Sequence, residues 1–279
     1  EGVRLTDFYS TSGVCTPSRS SLMTGCYPKR VGLHQGSWHG VLMPGDTNGL
    51  HPDEVTIAEV LKTKGYTTAC IGKWHLGDQP QFLPTRQGFD EFFGVPYSND
   101  MFPARRPKNR NFPPLPLMRG EKVLREAADQ SLLTGEYTRE AVAFIERNKD
   151  QPFFLYVPHS MPHVPLFVSK KFQGKSQRGL YGDVIMEIDW SVRQIVQALK
   201  KHDLDRNTLV IFTSDNGGLG GYTSADRQLP NGITDNAPLK GGKGMLYEGG
   251  IRVPMIVRWP GHTRPGSSCS TPVITVDFY

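Results

Sequence analysis

Between Gly182 and His202, Val184, Ile185, Ile188, Val192, Ile195, Val196 and Leu199 recur at three- and four-residue spacing. That is the apolar stripe of an amphipathic helix. The helix leads directly into Thr208–Thr213, a continuous apolar run suited to a buried strand. Phe153–Val157 and Val253–Trp259 are runs of the same kind. Upstream, Thr56–Lys64 reads as a short helix with Ile57, Val60 and Leu61 on one face, stopped by Gly65. Thr67–Ile71 reads as a strand and Thr134–Asn148 as a helix. Strands that alternate with helices predict an α/β fold whose sheet is covered on both faces. Three of the polar segments of interest follow the carboxyl ends of such strands, where open α/β sheets place their sites. Residues 80–120, rich in Pro, Asn and aromatics, read as a long irregular excursion. No repeat or Gly/Ser linker divides the chain, so residues 1–279 read as one domain.

A chain of 279 residues with 37% hydrophobic content buries a sizeable core, and its 30 Gly and 22 Pro point to many loops. The net charge of +5 is modest and dispersed, which argues against a nucleic-acid partner. Arg105, Arg106, Lys108 and Arg110 form a basic cluster in a Pro-rich stretch and read as a solvated loop. No apolar stretch reaches the ~18 residues of a membrane span. Four cysteines, Cys15, Cys26, Cys70 and Cys269, leave an odd number for pairing if one is modified, which argues against a disulfide framework.

The densest string of chemistry-bearing residues is Cys15-Thr16-Pro17-Ser18-Arg19-Ser20-Ser21-Leu22-Met23-Thr24-Gly25. Pro17 suits a first helical position, so a helix is expected to begin at Pro17 or Ser18. Its free N–H groups and positive dipole end then face Cys15, an environment for an anion or a charged thiol derivative. The alternative is a buried structural cysteine before an ordinary helix. Arg19 adds a permanent positive charge. Lys73 and Lys243 lie among glycines that allow close approach to a ligand, whereas an ordinary lysine is a surface residue. Lys240 competes with Lys243. His75 and His163 are candidates for proton transfer, with His159 as a nearby competitor for His163. Asp215-Asn216, after an apolar strand, is an all-oxygen pair suited to Ca²⁺ or Mg²⁺, and Asp-Asn-Gly-Gly is also turn chemistry.

The Cys15–Gly25 string resembles the signature of the type I sulfatases. Gly72-Lys73-Trp74-His75-Leu76-Gly77, Pro162-His163-Val164-Pro165, Ser214-Asp215-Asn216-Gly217 and Gly241-Gly242-Lys243 with Tyr247-Glu248-Gly249-Gly250 resemble that family's later segments, in chain order. The group most similar in these segments is that of arylsulfatase A and N-acetylgalactosamine-6-sulfatase. The resemblance implies an alkaline-phosphatase-like α/β domain with a central, mostly parallel sheet flanked by helices. It implies hydrolysis of sulfate monoesters, of a sulfated polysaccharide or an aryl sulfate. The catalytic set would be Cys15, Arg19, Lys73, His75, His163 and Lys243, with Lys73, His163 and Lys243 also binding substrate.

By the same resemblance, a formylglycine-generating enzyme oxidises Cys15 to formylglycine (3-oxoalanine). One hydroxyl of its hydrate attacks sulfur, the alcohol leaves with a proton from His163 or Lys243, and the second hydroxyl, deprotonated with help from His75 or Asp215, expels sulfate. Ca²⁺, with Mg²⁺ second, would be bound by Asp215, Asn216 and the modified Cys15. The compartment would be periplasmic, secreted or lysosomal. Sulfatases supply an Asp-Asp pair from a strand before the cysteine motif, whereas only Glu1 and Asp7 precede Cys15 here. The 279 residues are therefore expected to be a sulfatase domain truncated at both ends and, alone, inactive. A formylglycine-dependent phosphomonoester or phosphodiester hydrolase and a non-catalytic binder of sulfated glycans are the rival readings.

Overall fold

The computed structural model describes residues 1–36, 40–105, 111–220 and 234–279. Arg106, Lys108 and Arg110 of the basic cluster lie outside the described residues. The chain forms two compact units, Glu1–Val41 with Asp205–Tyr279, and Leu42–Leu204. The first unit opens with β1 (Val3–Leu5), β2 (Phe8–Tyr9) and α1 (Cys15–Thr24). The second contains α2 (Ile57–Lys62), β3 (Thr67–Lys73), β4 (Glu91–Val95), β5 (Leu117–Arg119), β6 (Lys122–Arg125), α3 (Gln130–Arg147), β7 (Phe153–Tyr156) and α4 (Gly179–Lys201). The chain returns to the first unit with β8 (Val210–Thr213), α5 (Glu248–Ile251), β9 (Met255–Arg258), β10 (Ser268–Cys269) and β11 (Val273–Ile274).

The strand and helix alternation appears as expected, and the sheets are mixed rather than mostly parallel. In the second unit the order is β6-β5-β4-β3-β7. β3 runs parallel to β4 and to β7, and β4, β5 and β6 form an antiparallel meander. The reason is local: β5 and β6 are joined by only Gly120-Glu121, with Gly120 at φ 57°, and so short a connection admits antiparallel pairing alone. In the first unit the order is β10-β1-β9-β8, with β1 parallel to β10 and antiparallel to β9, and β8 antiparallel to β9. β2 and β11 form a separate parallel pair.

β3 is buried along nearly its whole length, as a strand covered on both faces should be. β8 and β9 are not. Ile211, Phe212 and Ile256 are each about two-fifths exposed, although their sequence reads as a continuous buried run. One core cluster of the first unit is Phe8, Val253 and Met255, packed by Leu5, Val257, Val273 and Phe278. In α4, Val184 and Ile188 join Met161 in a cluster flanked by Leu166, Phe167 and Val168. Ile185, placed on that stripe by its spacing, is exposed. In α2 the buried residue is Ala58, and Val60 faces solvent. α2 is fixed by a capping box in which Thr56 and Glu59 exchange hydrogen bonds.

Candidate active site

In the first unit, α1 begins at Cys15 itself, two residues before the expected start. Pro17 is tolerated because N–H groups of a first turn have no intrahelical partner to lose. Nine of the ten residues of α1 are buried, although seven are Cys, Ser, Thr or Arg. Such a helix gains little from apolar burial, so its polar groups must be satisfied nearby. Ser20 donates to the Pro17 carbonyl at 2.7 Å and Thr24 to that of Ser20 at 2.8 Å. Arg19, 6% exposed, donates from Nε to Asp215 Oδ2 at 2.8 Å. Arg19 therefore holds Asp215, rather than standing as a bare cation.

Lys243 Nζ lies 3.5 Å from Cys15 Sγ. Two backbone bonds fix the lysine's loop: Lys243 N–H donates to the Gly218 carbonyl and Gly244 N–H to that of Gly13, each at 2.8 Å. Gly242 is needed here, because a Cβ would sit 1.7 Å from the Gly220 carbonyl oxygen. Lys240, the competitor, lies 4.1 Å above the Tyr247 ring. At the end of β8, Asn216 is buried and its amide N–H donates to the Gly217 carbonyl at 3.0 Å. Its Oδ1 is buried with no hydrogen-bond partner among the described residues. An acceptor oxygen left without a donor is what a hard cation would use, and it stands beside a carboxylate. Among the described residues no three His, Cys, Asp or Glu side chains gather to hold a metal.

In the second unit, β3 delivers Lys73 and His75. Lys73 is 2% exposed and donates to Ser98 Oγ at 3.1 Å. His75 is buried at φ 64°, a left-handed conformation uncommon for a residue with a Cβ. Its Nε2 is 2.9 Å from the Leu42 carbonyl, an acceptor, so Nε2 carries the proton and Nδ1 is the basic nitrogen. Gly72 is required where β3 meets the following turn, since a Cβ would fall 2.1 Å from the Pro158 carbonyl. His163 is partly buried, with Nδ1 2.7 Å from the Val164 carbonyl and 3.9 Å from Asp100 Oδ1.

Sequence reading missed Ser98, Asn99 and Asp100. Asn99 is buried and donates to the carbonyls of His163 and Pro165, both at 3.3 Å, while Gln130 donates back to the Asn99 carbonyl at 2.9 Å. The triplet thus touches both Lys73 and the His163 turn. The signal was available: Phe92-Phe93-Gly94-Val95 is a short apolar run ending just before Ser98, inside the stretch read as irregular.

His159 belongs to the interior. Its Nε2 is 3.3 Å from Ser191 Oγ, whose hydroxyl also receives Thr138 Oγ1 at 2.7 Å. Burial holds its pKa down to about 4, so it stays neutral in the folded protein. Between about pH 6.5 and 4 the unfolded chain binds this proton and the folded chain does not. Its stabilising effect is therefore complete above about pH 6.5 and declines as pH falls, by roughly 3 kcal/mol in all. His159→Gln should flatten that part of the stability curve in urea titrations at stepped pH. An unchanged curve would mean His159 already ionises in the fold.

The sulfatase family model matches residues 1–279. The chain is 39% identical over 282 residues to arylsulfatase A of Homo sapiens, covering 95% of this chain and 53% of that protein. It is 39% identical over 277 residues to N-acetylgalactosamine-6-sulfatase of Mus musculus, covering 95% and 52%. The crystal structure of Ps i-CgsB in complex with k-i-k-neocarrahexaose superposes with a TM-score of 0.83 at 33% identity, over 100% of this chain and 62% of that one. The chain spans about half the length of these curated relatives. The α/β fold is the alkaline-phosphatase-like one. With the whole of its length matched and its relatives at this identity, the chain belongs to the sulfatase family.

Proposed function

We propose that the protein hydrolyses sulfate monoesters, with Cys15 as the precursor of its nucleophile. The observation that carries the reading is the setting of Cys15: first residue of a buried polar helix, 4% exposed, with Lys243 Nζ 3.5 Å from its sulfur. Oxidised to an aldehyde by a formylglycine-generating enzyme and hydrated, position 15 would supply a hydroxyl able to attack sulfur. The helix N-terminus and the Lys243 ammonium stabilise negative charge developing on that residue. Arg19 orients the Asp215 carboxylate through the bond at 2.8 Å. Asp215 and Asn216 would hold a hard cation, Ca²⁺ before Mg²⁺, whose charge would stabilise an anionic oxygen.

The roles of Lys73, His75 and His163 rest on the resemblance of their segments. Lys73, which donates to Ser98 Oγ, would bind the sulfate group. His163 would bind sulfate and protonate the departing oxygen. His75, with its proton on Nε2, would accept one at Nδ1 in restoring the aldehyde. A sulfated carbohydrate is the first substrate class, since the similar Ps i-CgsB structure holds a neocarrahexaose. An aryl sulfate is the second. We place the protein in a periplasmic, secreted or lysosomal setting; among the described residues no helix is long and apolar enough to cross a membrane. We also read residues 1–279 as part of one sulfatase domain.

The test is turnover of an aryl sulfate beside the matching aryl phosphate by the whole protein. Preference for the sulfate supports the reading, and preference for the phosphate replaces it with the phosphoester hydrolase. The cation is tested separately. Asn216→Leu should abolish most of the rise in thermal midpoint that calcium gives the parent protein. An unchanged calcium response would remove Asn216 from the ligand set.

A further inference from the structure

The segment 169–178, Ser-Lys-Lys-Phe-Gln-Gly-Lys-Ser-Gln-Arg, carries Lys170, Lys171, Lys175 and Arg178 and no acidic residue. All four are exposed. None forms an ion pair among the described residues, whereas many other cations on the second unit's surface do. There Lys62 pairs with Asp90, Arg86 with Glu121, Arg119 with Glu140, Arg125 with Glu136, Arg147 with Glu91 and Lys201 with Glu146. The sequence reading, which took residues 105–110 as the basic cluster, missed this second one.

The two nearest carboxylates of α4, Asp183 and Glu187, are buried and committed to the loop's backbone. Asp183 accepts the N–H groups of Gly174 at 2.7 Å and Ser176 at 2.6 Å, and Glu187 accepts that of Ser169 at 3.1 Å. These bonds fix the loop without pairing its side chains. Lys171 is further positioned, its ammonium 4.3 Å from the Trp190 ring and 5.1 Å from that of Phe172. Four like charges held on an ordered loop repel one another, and that cost is relieved when a polyanion crosses them. Because the loop is already fixed, little ordering entropy is lost on binding.

We propose that loop 169–178 is a docking surface for a linear sulfated polysaccharide, binding the polymer in addition to the chemistry at Cys15. The choice of sulfated glycan over other polyanions rests on the sulfatase reading. The probes are dextran sulfate, unsulfated dextran and double-stranded DNA, measured by titration at several salt concentrations with the protein and with K170Q/K175Q/R178Q. Near-UV circular dichroism monitors folding, and K170Q/K175Q replaces the triple variant if that one fails to fold. The expected result is binding of dextran sulfate but not dextran, weakened about tenfold or more in the triple variant, with a shallower salt dependence. Turnover of a small aryl sulfate should stay within about twofold, because no substituted residue belongs to the proposed catalytic set. Equal affinity of parent and variant for dextran sulfate would overturn the proposal. Tighter binding of DNA than of dextran sulfate at the same salt would overturn it in favour of a nucleic-acid surface. Absence of aryl sulfate turnover in the whole parent protein would count against the sulfatase reading alone, since the affinity comparison stands without it.

Discussion

Cys15→Ala is expected to lower turnover of an aryl sulfate by about five orders of magnitude or more, the scale of losing a covalent nucleophile. No other described side chain replaces what is lost, because the hydroxyl that attacks sulfur is made from this residue. The fold should survive. Alanine is favoured in a helix, and the buried volume removed is that of one sulfur, worth on the order of 1 kcal/mol. Loss of the Lys243 contact at 3.5 Å is confined to the same spot. Paired measurements of kcat and thermal midpoint decide the matter. Substantial activity in a folded variant would remove Cys15 from the role.

His163→Ala should cost about two to four orders of magnitude in kcat, the usual worth of a positioned general acid. The loss should shrink as the leaving phenol becomes more acidic, because a better leaving group needs its proton less. A residue that only shapes the loop would lower all substrates alike. His159→Ala should cost far less in turnover, since His159 is buried against Ser191 and Tyr137. Its effect should fall on stability. The opposite ranking of the two histidines would show that the proton donor had been misplaced by four residues.

Much of this was legible in the chain. The apolar stripe of residues 184–199 placed α4 to within three residues at its start, and the runs at 67–71, 153–157, 208–213 and 253–259 all fall on strands, with β3 continuing two residues past its run. α3 begins at Gln130, four residues before its apolar periodicity suggests, because Asp129 caps it by accepting the Ser131 N–H at 3.0 Å. A cap is a single side chain and leaves no periodic trace. Burial was less legible: a run such as Val210–Thr213 specifies a strand but not how many faces are covered, and Phe212 is about two-fifths exposed. At the site, motif spacing named Cys15, Lys243, Asp215 and Asn216, and the fold gathers them within one unit. What motifs could not give was partnership. That Arg19 binds Asp215, that Ser98 meets Lys73 and that Asn99 secures the His163 turn are contacts between residues far apart in sequence.

The central claim is that position 15 acts as an oxidised cysteine. Mass spectrometry of the peptide containing residue 15, taken from protein whose aryl sulfate turnover has been measured, tests it most directly. The account predicts a residue lacking one sulfur and two hydrogens and carrying one added oxygen relative to cysteine, in proportion to the specific activity. An intact thiol at position 15 in fully active protein would contradict it.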